Sequence, residues 1–299
     1  MVILTRERSK VIVLGAGGQL GRELTASVPA GVECLSYTRA QLDLTDSEAV
    51  SRVLGEQGAQ AVINAAAYTA VDLSESEPEQ AAAGNVNGPG VLAATCAQVG
   101  CRLIHVSTDF VFDGTASEPY TPDVKTSPLG VYGQTKRDGE LAVLAALPDA
   151  LIVRTGWVYS AHGSNFVKTM LRLMSERDAL GVVADQVGTP TWAAGLAKTL
   201  WAFATRPELS GIYHWSDAGV CSWYDFAVAI CEEGEQRGLL KRAVPISPIA
   251  ASAYPTPARR PAYSVLDKSA TWADLEIEGI HWRVQLRAML QQLQENENV

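Results

Sequence analysis

The chain has no excess of basic residues, no paired cysteines, no metal-binding histidine spacing and no apolar run long enough for a membrane. Each absence removes a class of function. Net charge is −9 over 299 residues, so counterion release from phosphates gives no route to non-specific nucleic-acid binding. A few local cations still suffice for a small anionic ligand. Five cysteines, Cys34, Cys96, Cys101, Cys221 and Cys231, are odd in number and form no C-x-x-C, which reads as buried or free thiols in a reducing compartment. Four histidines form no H-x-x-x-H or H-E-x-x-H, so no metal site is expected. No apolar stretch approaches the roughly 20 residues of a membrane span. The charged first residues contain no apolar segment ending at a small-residue cleavage site, so no signal peptide and no membrane association are expected, and cytoplasm is the default.

What is present is a globular composition, 47% hydrophobic and 19% charged, with disorder expected only at the ends, Met1 to Lys10 and Gln291 to Val299. The first half alternates short apolar runs with helical periodicity. Strands are predicted at Lys10 to Leu14, Val32 to Tyr37, Ala61 to Asn64, Arg102 to Ser107 and Ala150 to Arg154. Helices are predicted at Gln19 to Val28, at Ser47 to Gln57 with Ser47 or Asp46 as N-cap, at Pro78 to Val99 with an interruption or kink at Gly88-Pro89-Gly90, and at Tyr132 to Leu147. This alternation predicts an α/β fold, a doubly wound parallel sheet of Rossmann type whose ligand lies beyond the carboxyl ends of the strands. The second half mixes short elements with Gly/Pro-rich loops and reads as a smaller, interleaved substrate-binding lobe. The expected division is residues 10–160 for the dinucleotide-binding domain, with returning segments from about 190–215, and 161–299 mainly for the lobe.

Three constellations carry chemistry. Gly15-Ala-Gly-Gly18-Gln19-Leu20-Gly21 lies between a strand and a helix, where glycines let the backbone approach a pyrophosphate and the helix N-terminus offers free N–H groups. After the second strand no acid is present to take the ribose hydroxyl of NAD; Arg39 serves there either as partner of a 2′-phosphate, favouring NADP, or as a solvated surface charge. Tyr132 and Lys136 form the single Tyr-x-x-x-Lys of the chain. That spacing puts both on one helix face, where a cation lowers the phenol pKa from its usual value of about 10 and equips it to pass a proton to a substrate oxygen. Ser107 and Thr108 end the fourth strand, and a hydroxyl there polarises a reacting carbonyl; Thr108 is the first choice, Ser107 the second.

These features occur among longer motifs: Asn64-Ala-Ala-Ala-Tyr-Thr-Ala-Val-Asp72, Ser74-Glu-Ser-Glu-Pro78, Ser107-Thr-Asp-Phe-Val-Phe-Asp-Gly114, Ser127-Pro-Leu-Gly-Val-Tyr-Gly133, Arg154-Thr-Gly-Trp-Val-Tyr159, Asn165-Phe-Val-Lys-Thr-Met170, Asp185-Gln-Val-Gly-Thr-Pro-Thr191 and Tyr254-Pro-Thr-Pro-Ala-Arg-Arg-Pro261. Together they resemble the dTDP-4-dehydrorhamnose reductase family of extended short-chain dehydrogenases, from about Lys10 to the last helix. The resemblance implies an oxidoreductase of dTDP-rhamnose biosynthesis, serving cell-wall polysaccharide, that uses NADPH or NADH to reduce the C4 ketone of a dTDP-sugar. It implies Tyr132, Lys136 and Thr108 as catalytic residues. It implies Gly15, Gly18, Gln19, Leu20, Gly21, Arg39, Asp43, Leu44, Ala67, Tyr68 and Thr69 at the cofactor, with Asp43 and Leu44 on adenine. It implies Thr108, Asp109, Trp157 and Arg260 at the sugar nucleotide, with Arg260 on its diphosphate.

Trp157 also reads as a core aromatic and Arg260 as a surface charge. Asn165, Phe166 and Lys168 are looser candidates that also fit a helix start. One departure stands out: Gly156 occupies the place of the family's usual serine. No nucleic-acid partner is expected, and the protein is expected to act as a monomer or homodimer. The rival readings are a related epimerase or dehydratase, or a non-catalytic dinucleotide-binding regulatory subunit. Thr108-Asp109 is followed by Phe110 rather than a second acid, which removes the base that dehydration requires.

Overall fold

The computed structural model describes residues 9–297. Six parallel strands form the central sheet. In the first half, β1 (Ser9–Leu14), α1 (Gln19–Ala26), β2 (Val32–Tyr37), α2 (Ser47–Gln57) and β3 (Ala61–Asn64) are followed by the short α3 (Val71–Ser74). Next come α4 (Pro78–Ala82), α5 (Gly88–Val99), β4 (Arg102–Thr108), α6 (Val131–Ala146) and β5 (Leu151–Thr155). The second half contributes β6 (Val158–Tyr159), α7 (Phe166–Glu176), β7 (Leu180–Val183), β8 (Val187–Gly188), β9 (Thr191–Trp192), α8 (Ala193–Ala204) and β10 (Gly211–His214). It ends with β11 (Cys221–Ser222), α9 (Trp223–Gln236), β12 (Ile246–Ile249), α10 (Ser269–Leu275) and α11 (Trp282–Glu297).

Sheet order is β10-β5-β4-β3-β1-β2. The doubly wound fold is therefore as the sequence predicts, and the order reverses between β1 and β3, where the crevice opens. Burial explains the unbroken apolar runs. Val11 to Leu14 and Ala61 to Asn64 are buried on both faces, because helices cover both sides. On one face, Leu20 and Leu24 of α1 pack with Leu196, Leu200 and Trp201 of α8 against Val11 and Val13. On the other, Val50 and Leu54 of α2 and Leu92 and Cys96 of α5 pack against Ile12, Leu14 and Val62. A separate apolar cluster, with Tyr159, Met170, Phe226, Ile230, Trp282, Leu286 and Met289, joins α7, α9 and α11. Three two-stranded pairings, β6-β9, β7-β12 and β8-β11, tie that region together.

Two open readings are settled and one expectation is corrected. The helix over Pro78 to Val99 runs through Gly88 without interruption, its irregularity lying just before it, where α4 passes through a π-helical turn, Ala83–Asn87, before α5 begins. Pro89 crowds the carbonyl four residues back and has no N–H to give, and the wider turn before it relieves both defects. Asp46 rather than Ser47 caps α2, accepting from Ala49 N–H at 3.0 Å. At the ends, residues 1–8 and 298–299 lie outside the described residues, whereas Ser9 and Lys10 are already in β1 and Gln291 continues α11. Leu290 and Leu293 are buried there, and that contact holds the last turns helical. Among the described residues no helix is long and apolar enough to cross a membrane.

Candidate active site

A cavity of about 1010 Å³ opens at the carboxyl ends of β1, β3 and β4. Its floor is the glycine turn. Gly15 sits at φ +80, and a Cβ on it would meet Ala66 N at 2.7 Å; a Cβ on Gly21 would meet the Gly15 carbonyl oxygen at 2.1 Å. Those two positions admit glycine alone, which brings α1 close to β1 and β3. Gly18 is less constrained, since its Cβ would lie 3.4 Å from the nearest atom. Gly18 is the N-cap of α1, with no side-chain cap and no acid in the first turn. Gly18 N–H itself donates to the Gly15 carbonyl at 3.0 Å, which leaves the N–H groups of Gln19 and Leu20, both on the cavity lining, as a fit for an anionic pyrophosphate.

The wall beyond β3 and β4 holds the reactive groups. The π-helical turn places the buried Asn85 so that its Oδ1 accepts from Tyr68 N–H at 2.9 Å and its Nδ2 donates to the Thr135 hydroxyl at 3.2 Å. One amide thus couples the loop Ala67-Tyr68-Thr69 to α6. Glu75 Oε1 accepts from Val131 N–H at 2.9 Å, satisfying the N-terminus of the helix that carries Tyr132. Phe110 packs edge-on against the Tyr132 ring with centroids 5.5 Å apart.

Burial pushes the Tyr132 phenol up to about 12, against the pull of the Thr108 hydroxyl, and the Asp109 carboxylate adds to the rise. The expected lowering by Lys136 is not found: the Lys136 ammonium is buried and donates to the Val106 carbonyl at 2.7 Å. Desolvation brings Lys136 down to about 8, with Glu140 resisting. Burial likewise raises Asp109 to about 6.

The two hydroxyls that end β4 have different fates. Ser107 donates to the buried Glu140, which also receives Arg154 Nε at 2.9 Å and Nη2 at 2.7 Å. Ser107 is therefore committed to a structural network. Thr108 donates to Asp109 Oδ1 at 3.1 Å and accepts from Phe110 N–H at 3.2 Å, on the cavity side. Gly156 is what admits Asp109: a Cβ there would stand 2.5 Å from its Oδ2, so the serine usual at this position would displace the carboxylate.

The opposite wall is aromatic. Trp157 has φ +51, a strained value for a bulky residue. Its ring stacks on Trp223 with centroids 3.5 Å apart at 5°, and Phe166 tilts against Trp223 at 4.6 Å. Arg260, on the segment after Tyr254, lines the same cavity. Its guanidinium is paired with Asp72 of α3, Nη1 to Oδ1 at 3.0 Å and Nη2 to Oδ2 at 2.8 Å.

Every residue singled out in the sequence for catalysis, cofactor or substrate lines this one cavity, except Gly21 and the looser candidates Asn165, Phe166 and Lys168. Gly21 acts through close packing instead. Arg39 is at the rim, largely exposed, its Nε 3.2 Å from Asp43. Asn165 caps α7, accepting from Lys168 N–H at 3.2 Å, and donates to Gln19 Oε1 at 2.9 Å, so it fastens the second lobe to the glycine turn. Sequence reasoning missed Trp223, Asn85 and Asp72. Ser222 and Asp225 form a reciprocal capping box, a readable signal that would have put Trp223 in the first turn of a helix. Asn85 and Asp72 carry no such local signal, because their partners are far along the chain.

Comparison with known proteins follows the same lines. The profile of the RmlD substrate binding domain family matches residues 9–295. A dTDP-4-dehydrorhamnose reductase of Burkholderia thailandensis is 43% identical over 291 residues, covering 92% of this chain and 95% of that protein. The crystal structure of a dTDP-4-dehydrorhamnose reductase from Clostridium acetobutylicum superposes with a TM-score of 0.89 at 39% identity, covering 95% of this chain and 99% of that one. A Bacillus anthracis dTDP-4-dehydrorhamnose reductase, solved in complex with NADP, gives a TM-score of 0.90 at 33% identity over 95% of this chain and 99% of that one.

Proposed function

The chain belongs to the dTDP-4-dehydrorhamnose reductase family, and from that premise we propose that it reduces the C4 ketone of dTDP-4-dehydro-L-rhamnose to dTDP-L-rhamnose. The observation that carries the proposal is the convergence of Tyr132, Lys136 and Thr108 on a cavity floored by the glycine turn. A bound NADPH or NADH supplies the hydride. The N–H groups of Gln19 and Leu20 hold its pyrophosphate where Gly18 lets the backbone come close, with Ala67, Tyr68 and Thr69 along its flank and Asp43 and Leu44 at adenine. Arg39 meets a 2′-phosphate, which favours NADPH.

The remaining chemistry belongs to side chains. Thr108 donates to the ketone oxygen and polarises it. Tyr132 protonates the oxygen as negative charge develops there. A phenol raised to about 12 suits this direction: it keeps its proton at neutral pH and is still a stronger acid than the alcohol it creates. Lys136, lowered to about 8, remains cationic at neutral pH and holds the nicotinamide ribose. Asp109 and Trp157 contact the sugar nucleotide and Arg260 its diphosphate, in the bidentate manner suited to a guanidinium. Residues 10–160, with the return at about 190–215, carry the dinucleotide, and 161–299 mainly the substrate. Phe110 against the Tyr132 ring leaves no second acid beside Thr108 and Asp109, which disfavours dehydration.

The test is absorbance at the nicotinamide band with dTDP-4-dehydro-L-rhamnose and either cofactor. Net oxidation of the cofactor is expected, and Tyr132→Phe should lose roughly 100-fold or more in rate while keeping cofactor affinity. Near-normal turnover by that variant, or no oxidation by the wild type, defeats the proposal.

A further inference from the structure

Arg260 is already occupied by an anion of the protein's own. Asp72 offers it two carboxylate oxygens at 3.0 and 2.8 Å, the fork-on-fork geometry that a phosphate would also use. The same Asp72 Oδ1 accepts from Ala258 N–H at 3.2 Å. The carboxylate therefore gathers both the guanidinium and the backbone of the turn behind it. Arg260 Nη1 is further engaged by Thr256 Oγ1 at 2.5 Å and the Ala258 carbonyl at 3.1 Å. The pair joins α3 to the segment that follows Tyr254, with Arg260 on the cavity lining. It is half-open to water, with side-chain exposures of 26% and 40%, so it can exchange partners at modest cost. Three cations line the cavity: Arg39, Lys136 and Arg260. Arg39 is at the far rim and Lys136 is buried against Val106, which leaves Arg260 for a sugar nucleotide.

We propose that Asp72 is a built-in competitor for the diphosphate subsite, so that a ligand must carry enough negative charge to take the Arg260 guanidinium from it. The inference rests on the assignment of Arg260 to the diphosphate. Held on a guanidinium that lines the cavity, the Asp72 carboxylate also repels a phosphate approaching that guanidinium, so exchange and repulsion act in the same direction. Arg260 holds the Asp72 carboxyl below the usual carboxylate range, and the competitor is present throughout the neutral region. Ligands without phosphate gain nothing from displacing it. The residue thus tunes selectivity for charged nucleotides rather than the chemistry at Tyr132.

Calorimetric titration of the full chain with dTDP and with thymidine tests this. Asp72→Asn keeps an acceptor for Ala258 N–H and for one guanidinium nitrogen but removes the charge. It should tighten dTDP roughly threefold to tenfold and leave thymidine and the dinucleotide unchanged. Asp72→Ser, smaller and neutral, should shift dTDP in the same direction. Unchanged or weaker dTDP binding in both variants overturns the competitor role, as does equal tightening of dTDP and thymidine. Arg260→Ala separates the underlying assignment: if it does not weaken dTDP, the diphosphate reading of Arg260 falls. If it does weaken dTDP while the Asp72 variants fail to tighten it, only the competitor falls.

Discussion

Two bidentate arginine–carboxylate pairs flank the cleft, and they do opposite work. Arg154 and Glu140 lie inside the sheet half, with side-chain exposures of 4% and 3%. Arg154 Nη1 also donates to the Pro122 carbonyl at 3.2 Å, its guanidinium lies 5.2 Å from the Phe112 ring centroid, and Ser107 completes the set on Glu140. Arg260, on the cavity lining, pairs with Asp72 in a half-exposed site. The first pair has every polar atom matched in a dry site and fixes β4, β5 and α6 relative to one another. The second is wet and exchangeable. The wall that holds Tyr132 and Thr108 is thus locked by burial, whereas the wall that holds Arg260 rests on a contact that an anion can replace.

That contrast can be broken by experiment. Glu140→Ala strands Arg154 without a partner and should cost about 3–5 kcal/mol by urea unfolding; a loss below 1 kcal/mol would show that the buried pair is no lock. Gly21→Ala forces a Cβ into the Gly15 carbonyl and should cost about 1–3 kcal/mol, with weaker dinucleotide binding. Unchanged dinucleotide affinity in that variant would remove the close approach from the cofactor site.

Titration separates the walls next. Lys136 loses its proton near pH 8 in the folded protein, against an ordinary value of 10.5. Between those values the unfolded chain binds the extra proton, so this group's contribution to stability rises with pH across the window. With Lys136 on the ribose as proposed, dinucleotide affinity should therefore fall above pH 8, by up to about tenfold per unit. The affinity for dTDP, which does not depend on Lys136 in that proposal, should stay flat from pH 7 to 9. Equal pH dependence for both ligands would contradict the division. The smallest effect belongs to Arg39→Ala: exposed and screened, it should weaken NADPH a few-fold relative to NADH. An unaltered ratio would leave Arg39 a surface charge.

Legibility followed chain distance. The glycine turn, the Tyr132/Lys136 spacing and Thr108 were readable because each is a local pattern at the end of a strand or the start of a helix. The strand boundaries were equally readable, since strands covered on both faces must be apolar throughout. The irregularity at Gly88-Pro89-Gly90 was legible from the proline, but its form as a wide turn one turn earlier also depends on Asn85 reaching Tyr68 and Thr135. The direction of the Tyr132 shift was misjudged for a related reason: i,i+4 spacing places a lysine nearby but does not say that its ammonium will turn to Val106 and Glu140.

By itself, then, the amino-acid order determined the doubly wound sheet, the anion-ready start of α1 and the one-face spacing of Tyr132 and Lys136. These depend on periodicity and on neighbours a few residues apart. Only the tertiary structure decided that Ser107 is spent on Glu140, that Gly156 makes room for Asp109, that Trp223 backs the strained Trp157, and that Asp72 holds Arg260. Those outcomes are set by which side chains meet in space and how much water remains around them. Contacts between residues as far apart as Asp72 and Arg260 leave no local pattern in the chain.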